Sequence, residues 1–129
     1  MEFTLEHEFK VPAEALYNGF LDSKTHSEMT GAQCVIQPIV NGEFSAWDGY
    51  ITGKNLELKP NRFIRQTWRT TEFQADQKDS ILELEFVDLD KNKSKLILKH
   101  LHLIETDWHY KQGWIDFYFT PMTEYFNGL

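Results

Sequence analysis

Few groups in this sequence could do chemistry, and most of them are histidines. His7 and His100 each stand where a strand pattern expects an apolar residue, and so does Gln66. A polar group on a core face costs free energy unless it is hydrogen-bonded. Two readings follow. These side chains bond one another or the backbone, or they line a cavity and hold the polar head of a ligand. If the first and last strands are neighbours, His7 and His100 lie close together. His100, His102 and His109 also raise the question of a metal, because a spacing of two on a strand puts two imidazoles on one face. Zinc needs three or four converging ligands with supporting partners. No cysteine lies near, so no metal is expected.

The single cysteine, Cys34, precedes Val35 and Ile36 and reads as a small buried hydrophobe. A nucleophilic role needs an activating base, and none is identifiable. Glu83 and Glu85 share a strand face, but the solvated one. There is no glycine-rich phosphate loop and no nucleophile turn for a Ser-His-Asp arrangement. Acid–base catalysis would fall to His7, His100 or Tyr118. Catalysis is therefore not favoured by these residues, and no cofactor is expected.

The elements that must position these groups can be read from periodicity. Phe3, Leu5, His7 and Phe9 alternate with polar residues, the pattern of a strand with one buried side. Pro12 suits a first helical turn, and Leu16, Tyr17, Phe20 and Leu21 recur at helical spacing. Asp22 and Ser23 break that helix and can cap the next one. A second short helix is expected over 24–30, with Thr25 and Glu28 as a capping box and Gly31 at its end. Strands and turns come next. Cys34–Val40 is apolar and β-branched. Asn41-Gly42 and Asp48-Gly49 are strong two-residue hairpin signals, and Trp47 is expected to pack at the base of the second turn. Strands follow over 43–47, 50–58, 62–69, 81–86 and 95–103, the last four separated by Pro60-Asn61, a polar stretch at 76–79 and a charged turn at 88–93. Pro38 makes its strand an edge or a bulge. The segment 106–127 returns to period 3.6, with Trp114, Ile115, Tyr118, Met122, Tyr125 and Phe126 as its stripe, and Pro121 should kink it.

Composition sets the outer bounds. The 129 residues fit one domain, 1–129, and the 41% hydrophobic content suffices for a core. The net charge of −7 sets aside nucleic acid as a partner. No apolar run is long enough for a membrane span. The N-terminus has no leader pattern, and the lone cysteine fits a reducing, cytoplasmic setting.

The order strand, two short helices, six-stranded meander, long C-terminal helix resembles the helix-grip fold of the START, birch-pollen-allergen and polyketide-cyclase superfamily. This is an α+β class in which a curved antiparallel sheet wraps a helix. The segment Gly42-Glu43-Phe44-Ser45-Ala46-Trp47-Asp48-Gly49-Tyr50-Ile51-Thr52-Gly53 is similar to the activator of heat-shock protein 90 ATPase homologue-like family. Leu56–Pro60, Ile64–Arg69, Ser80–Phe86, Gly113-Trp114 and Tyr118–Met122 continue the likeness. Asn41-Gly42 stands where that family often has two glycines, and 101–108 match poorly.

The resemblance implies a pocket between sheet and helix, with His7, Gln66, Trp68, Phe86, His100, Trp114, Tyr118 and Met122 as its candidate lining. It implies a small hydrophobic ligand of lipid, sterol or polyketide type. The alternatives are a chaperone co-factor or stress-related interaction module, and third a cyclase-like enzyme. The expected state is a monomer or weak dimer.

Overall fold

The computed structural model describes residues 1–128. Its elements are β1 (Phe3–Phe9), α1 (Ala13–Leu21), α2 (Ser23–Thr30), β2 (Val35–Ile36), β3 (Glu43–Ala46), β4 (Ile51–Lys59), β5 (Phe63–Thr70), β6 (Ser80–Asp90) and β7 (Lys93–Leu101). A 3₁₀ turn (Glu105–Asp107) then leads into α3 (His109–Trp114), a π-helical turn (Ile115–Phe119) and α4 (Thr120–Asn127). The seven strands form one antiparallel sheet in the order β1-β7-β6-β5-β4-β3-β2. The first and last strands are indeed neighbours. Leu16, Ile64, Leu82, Leu84, Leu96, Leu98 and Met122 are fully buried, and they tie α1, the sheet and α4 into one core.

Helix α1 is capped from β6, and helix α2 by Asp22, one of the two residues expected to cap it. Pro12 precedes α1 but gives no side-chain cap; the Asp88 carboxylate of β6 accepts the Ala13 N–H at 2.8 Å instead. A carboxylate there also favours the positive end of the helix dipole. Helix α2 starts at Ser23, and Asp22 accepts from the Thr25 N–H at 2.9 Å. Thr25 is thus the donor, and Glu28 accepts from the Tyr125 hydroxyl of α4 rather than closing a capping box.

The strand expected over Cys34–Val40 shrinks to Val35–Ile36. Pro38 has no N–H for the ladder, and Asn55 captures the carbonyls of Gln37 and Ile39 through Nδ2 at 3.0 and 3.3 Å. The chain then closes a local loop, with Gly42 N–H donating to Ile39 O at 2.9 Å. Only Asn41 of the Asn41-Gly42 pair has positive φ, at 66°, so the expected two-residue hairpin does not form. At the second turn three successive residues are left-handed: Trp47, Asp48 and Gly49, with φ of 53°, 58° and 92°. Ala46 pairs with Ile51, so that loop holds four residues rather than two.

Gly53 is required for a different reason. A Cβ there would lie 2.0 Å from the Thr67 carbonyl oxygen and 2.5 Å from the Phe44 ring. Strands β3 and β5 therefore approach β4 as closely as a bare Cα allows. The register of β4 on β5 then slips between Asn55 and Glu57 in a bulge.

The C-terminal segment is helical, but its break is not a simple proline kink. An interior proline lacks its N–H and clashes with the carbonyl four residues back, here that of Phe117. The chain widens into the π-helical turn Ile115–Phe119 just before Pro121, and proline then falls in the first turn of α4.

Candidate functional site

Between the β3–β4 loop, β5 and the C-terminal helical segment lies a cavity of about 390 Å³. Trp47, Tyr50 and Ile51 line it from the loop and the start of β4, and Trp68 from β5. His109, Tyr110, Gly113 and Trp114 line it from α3, and Phe117 and Tyr118 from the π-helical turn. Its walls are almost wholly aromatic, and the rings brace one another. Trp68 meets Tyr110 edge-on at 4.9 Å between centroids, Trp114 meets Tyr118 at 4.7 Å, and Trp47 meets Phe117 at 5.6 Å. Such pairs add to stability beyond the area they bury. The volume suits a small molecule.

Of the eight residues expected to line a pocket, Trp68, Trp114 and Tyr118 do so. The other five lie outside it. His7 is opposite Leu96 on β7, whereas Phe3 is opposite His100, so the two histidines are separated along β1. His7 Nε2 lies 2.9 Å from the Thr123 hydroxyl, and its ring stacks on Phe119. Gln66 donates through Nε2 to Asn55 Oδ1 at 2.9 Å and so holds the residue that fastens the Gln37–Ile39 loop. Its Oε1 has no hydrogen-bond partner among the described residues. Phe86 packs edge-on against Tyr17 of α1, and Met122 is sealed in the core.

His100 sits behind the cavity wall and orients it. The Trp114 indole N–H donates to His100 Nδ1 at 3.0 Å. That leaves Nε2 as the protonated nitrogen, 2.9 Å from Ser80 Oγ, which donates in turn to the Trp68 carbonyl at 2.7 Å. Burial pushes the imidazole pKa down to about 3, so the ring is neutral near pH 7. One histidine thus holds both Trp114 and the backbone of Trp68. His102 leaves the strand with φ of 61° and is exposed, and His109 lies across the cavity on α3.

A second buried histidine does the same for Tyr118, and sequence reading missed it. His26 Nδ1 donates to the Phe20 carbonyl at 2.9 Å. Its bare Nε2 then accepts from the Tyr118 hydroxyl at 2.9 Å. Burial lowers its pKa to about 4, partly opposed by the bond to Phe20. Burial likewise raises the Tyr118 phenol far above its ordinary value. His26 lies in the polar run Ser23–Glu28, which carries no inward stripe to mark it. Cys34 is buried nearby, with its thiol pushed up to about 12 by burial, and is not a nucleophile in that state.

The polar end of the cavity is at its rim. The Tyr50 hydroxyl donates to Glu72, and Tyr110 and Thr70 share a hydroxyl–hydroxyl bond. His109 Nε2 lies 3.8 Å from Glu72. Burial raises the Tyr50 and Tyr110 phenols, and the Glu72 carboxylate adds to both shifts. Trp47 and Tyr50 flank the Asp48-Gly49 turn. Two large aromatics that a turn does not need were the available signal for this wall. Among the described residues no three His, Cys, Asp or Glu side chains converge as a metal site, and no helix is long and apolar enough to cross a membrane.

A seven-stranded antiparallel sheet with a broken C-terminal helix across it, and an aromatic cavity between them, defines a helix-grip protein. The family model described as activator of Hsp90 ATPase homolog 1-like protein matches residues 10–127, and the chain belongs to that family. It is 24% identical over 127 residues to the mouse activator of 90 kDa heat shock protein ATPase homolog 1. That match covers 97% of this chain and 37% of the relative. The chain thus spans little more than a third of the mouse protein's length. Among solved structures, an HSP90 activator from Plasmodium falciparum superposes with a TM-score of 0.88 at 26% identity, covering 99% of this chain and 96% of that one. The Aha1 dimer from Colwellia psychrerythraea shares the fold, with a TM-score of 0.79 at 13% identity, over 98% of this chain and 96% of that chain.

Proposed function

We propose that this chain binds a small hydrophobic molecule in the cavity between β5 and the C-terminal helix. The observation that supports this reading best is the aromatic cavity of about 390 Å³ itself. A well-packed domain leaves few voids larger than a water molecule. Here two buried histidines are spent on orienting Trp114 and Tyr118, two rings of its wall. Apolar contact with the rings would supply the affinity, and the hydroxyls at the rim would set orientation. Trp47, Trp68 and Trp114 all line the cavity, so tryptophan emission reports on an occupant directly. Native mass spectrometry of the purified protein, and fluorescence titration with a panel of fatty acids, sterols and aromatic polyketides, test the proposal. A bound mass or saturable emission change supports it. No change across the panel overturns it.

A second reading is that the chain assists a heat-shock protein 90 ATPase. The names of the mouse and Plasmodium relatives support it, and the net charge of −7 would suit a basic partner face. ATPase turnover of the chaperone with and without the chain decides this. Faster turnover with co-elution supports the reading, and unchanged turnover without co-elution overturns it.

A further inference from the structure

We infer that the cavity selects a ligand carrying an organic cation, a substituted ammonium group on an apolar body. This inference rests on the binding proposal above and names the ligand's charge. Among the described residues, no lysine or arginine lines the cavity. Its walls are π-faces and edges of Trp47, Trp68, Trp114, Phe117 and three tyrosines, with Ile51, Gly113 and the His109 imidazole beside Glu72 completing the lining. An aromatic face attracts a cation through the ring quadrupole and gives an anion no such partner. A desolvated ammonium gains most where several rings surround it.

A carboxylate at the rim supports the same sign. Glu72 accepts from the Tyr50 hydroxyl and lies 3.8 Å from His109 Nε2, so wall residues of the β3–β4 loop and of α3 meet it from two sides. Its side chain remains 58% exposed, so it still has acceptor capacity for an incoming donor. The chain's net charge of −7 adds a long-range field of the same sign. A fatty-acid carboxylate would enter against both the local and the overall charge. An alkylammonium would meet ring faces inside and a carboxylate at the mouth.

Three probes of matched shape test the inference: phenyltrimethylammonium, its neutral isostere tert-butylbenzene, and benzenesulfonate. They are titrated at low salt by tryptophan emission and by amide NMR shifts of the whole chain. The expected order is cation, neutral, anion, with the cation at least about tenfold tighter than the isostere, or about 1.4 kcal/mol. Glu72→Gln keeps an acceptor for Tyr50, lies at an exposed position, and should weaken the cation about threefold or more while leaving tert-butylbenzene unchanged. Equal binding of the cation and the isostere overturns the charge selection and leaves the apolar cavity standing. Binding of none of the three overturns the charge selection and the binding proposal together.

Discussion

The indole of Trp114 and the imidazole of His100 share one hydrogen bond, 3.0 Å long, at the centre of the molecule. His100 is fully buried and Trp114 nearly so. The hydrogen bond joins two buried side chains, so each ring fixes the other's orientation. The bond also settles the imidazole tautomer and passes through Ser80 to the backbone of Trp68. Replacing His100 by leucine would leave the indole N–H buried without an acceptor. That should cost about 1–3 kcal/mol, read as a lower midpoint in urea unfolding. Adding Trp114→Phe removes the orphaned donor, so the double variant should lose less than the sum of the two single changes. Strict additivity would mean that the bond carries no energy of its own.

Acid should unfold this protein earlier than its carboxylates alone would. His26 and His100 have pKa values lowered to about 4 and about 3 by burial. Unfolded, each would titrate near 6.5. The unfolded chain therefore binds more protons below that value, and stability rises with pH there. The contribution is complete above about pH 6.5 and is lost as pH falls toward 4 for His26 and toward 3 for His100. Each ring adds a slope approaching about 1.4 kcal/mol per pH unit. Between pH 6 and pH 5, unfolding free energies should fall by roughly 2 kcal/mol from the pair. His26→Leu and His100→Leu should each flatten that slope by about half. A slope that neither substitution changes would rule out both histidines as its source.

Gly53→Ala tests the crowding of β3, β4 and β5. The added methyl would sit 2.0 Å from the Thr67 carbonyl oxygen and 2.5 Å from the Phe44 ring. Both are fixed parts of the sheet, so the strands must part. Overpacking of this kind costs about 3 kcal/mol or more, far above what alanine gains over glycine in chain entropy. Guanidinium unfolding measures it, and a loss under about 1 kcal/mol would contradict the geometry.

The sheet was legible because alternation is a local signal. Leu82, Leu84 and Phe86 need only neighbours two residues away to declare a buried face, and Leu96, Leu98 and His100 do the same. Turns that depend on distant partners were not legible. Nothing near Gln37 shows that Asn55, 18 residues on, will take its carbonyl and end the strand. The cavity wall was legible only in part. Periodicity put Trp68, Trp114 and Tyr118 on inward faces and the family likeness implied a pocket there, whereas Trp47 and Tyr50 face inward because of three left-handed residues in the loop between β3 and β4. Phe117 reaches the cavity from a π-helical turn, where the spacing of an ordinary helix no longer holds. The π-helical turn sits where Pro121 would otherwise clash, so the residue that looked like a simple kink also shapes the wall.

Arg69 offers a way to separate local from global stability. It extends from β5 over the connection to β6, donating to the carbonyls of Gln77 at 2.6 Å and Gln74 at 2.8 Å. It also pairs with Asp79 at 3.0 Å, and its guanidinium lies over the Phe73 ring at 5.4 Å. Phe73 in turn packs against Trp68 and Tyr110, two wall residues of the cavity. The loop has few anchors besides these: Gln77 reaches Asp107 through its side chain at 3.0 Å. Arg69→Ala should release the loop while leaving the core strands paired, because the guanidinium's hydrogen bonds and ion pair all go to the connection itself. Amide exchange over 73–79 should accelerate about tenfold or more, while β6 and β7 keep their protection. Arg69→Lys can restore one charge but not the forked contact with two carbonyls, so it should recover only part of the protection. Exchange that rises equally in the loop and in β7 would show that Arg69 supports the whole fold rather than this one strap.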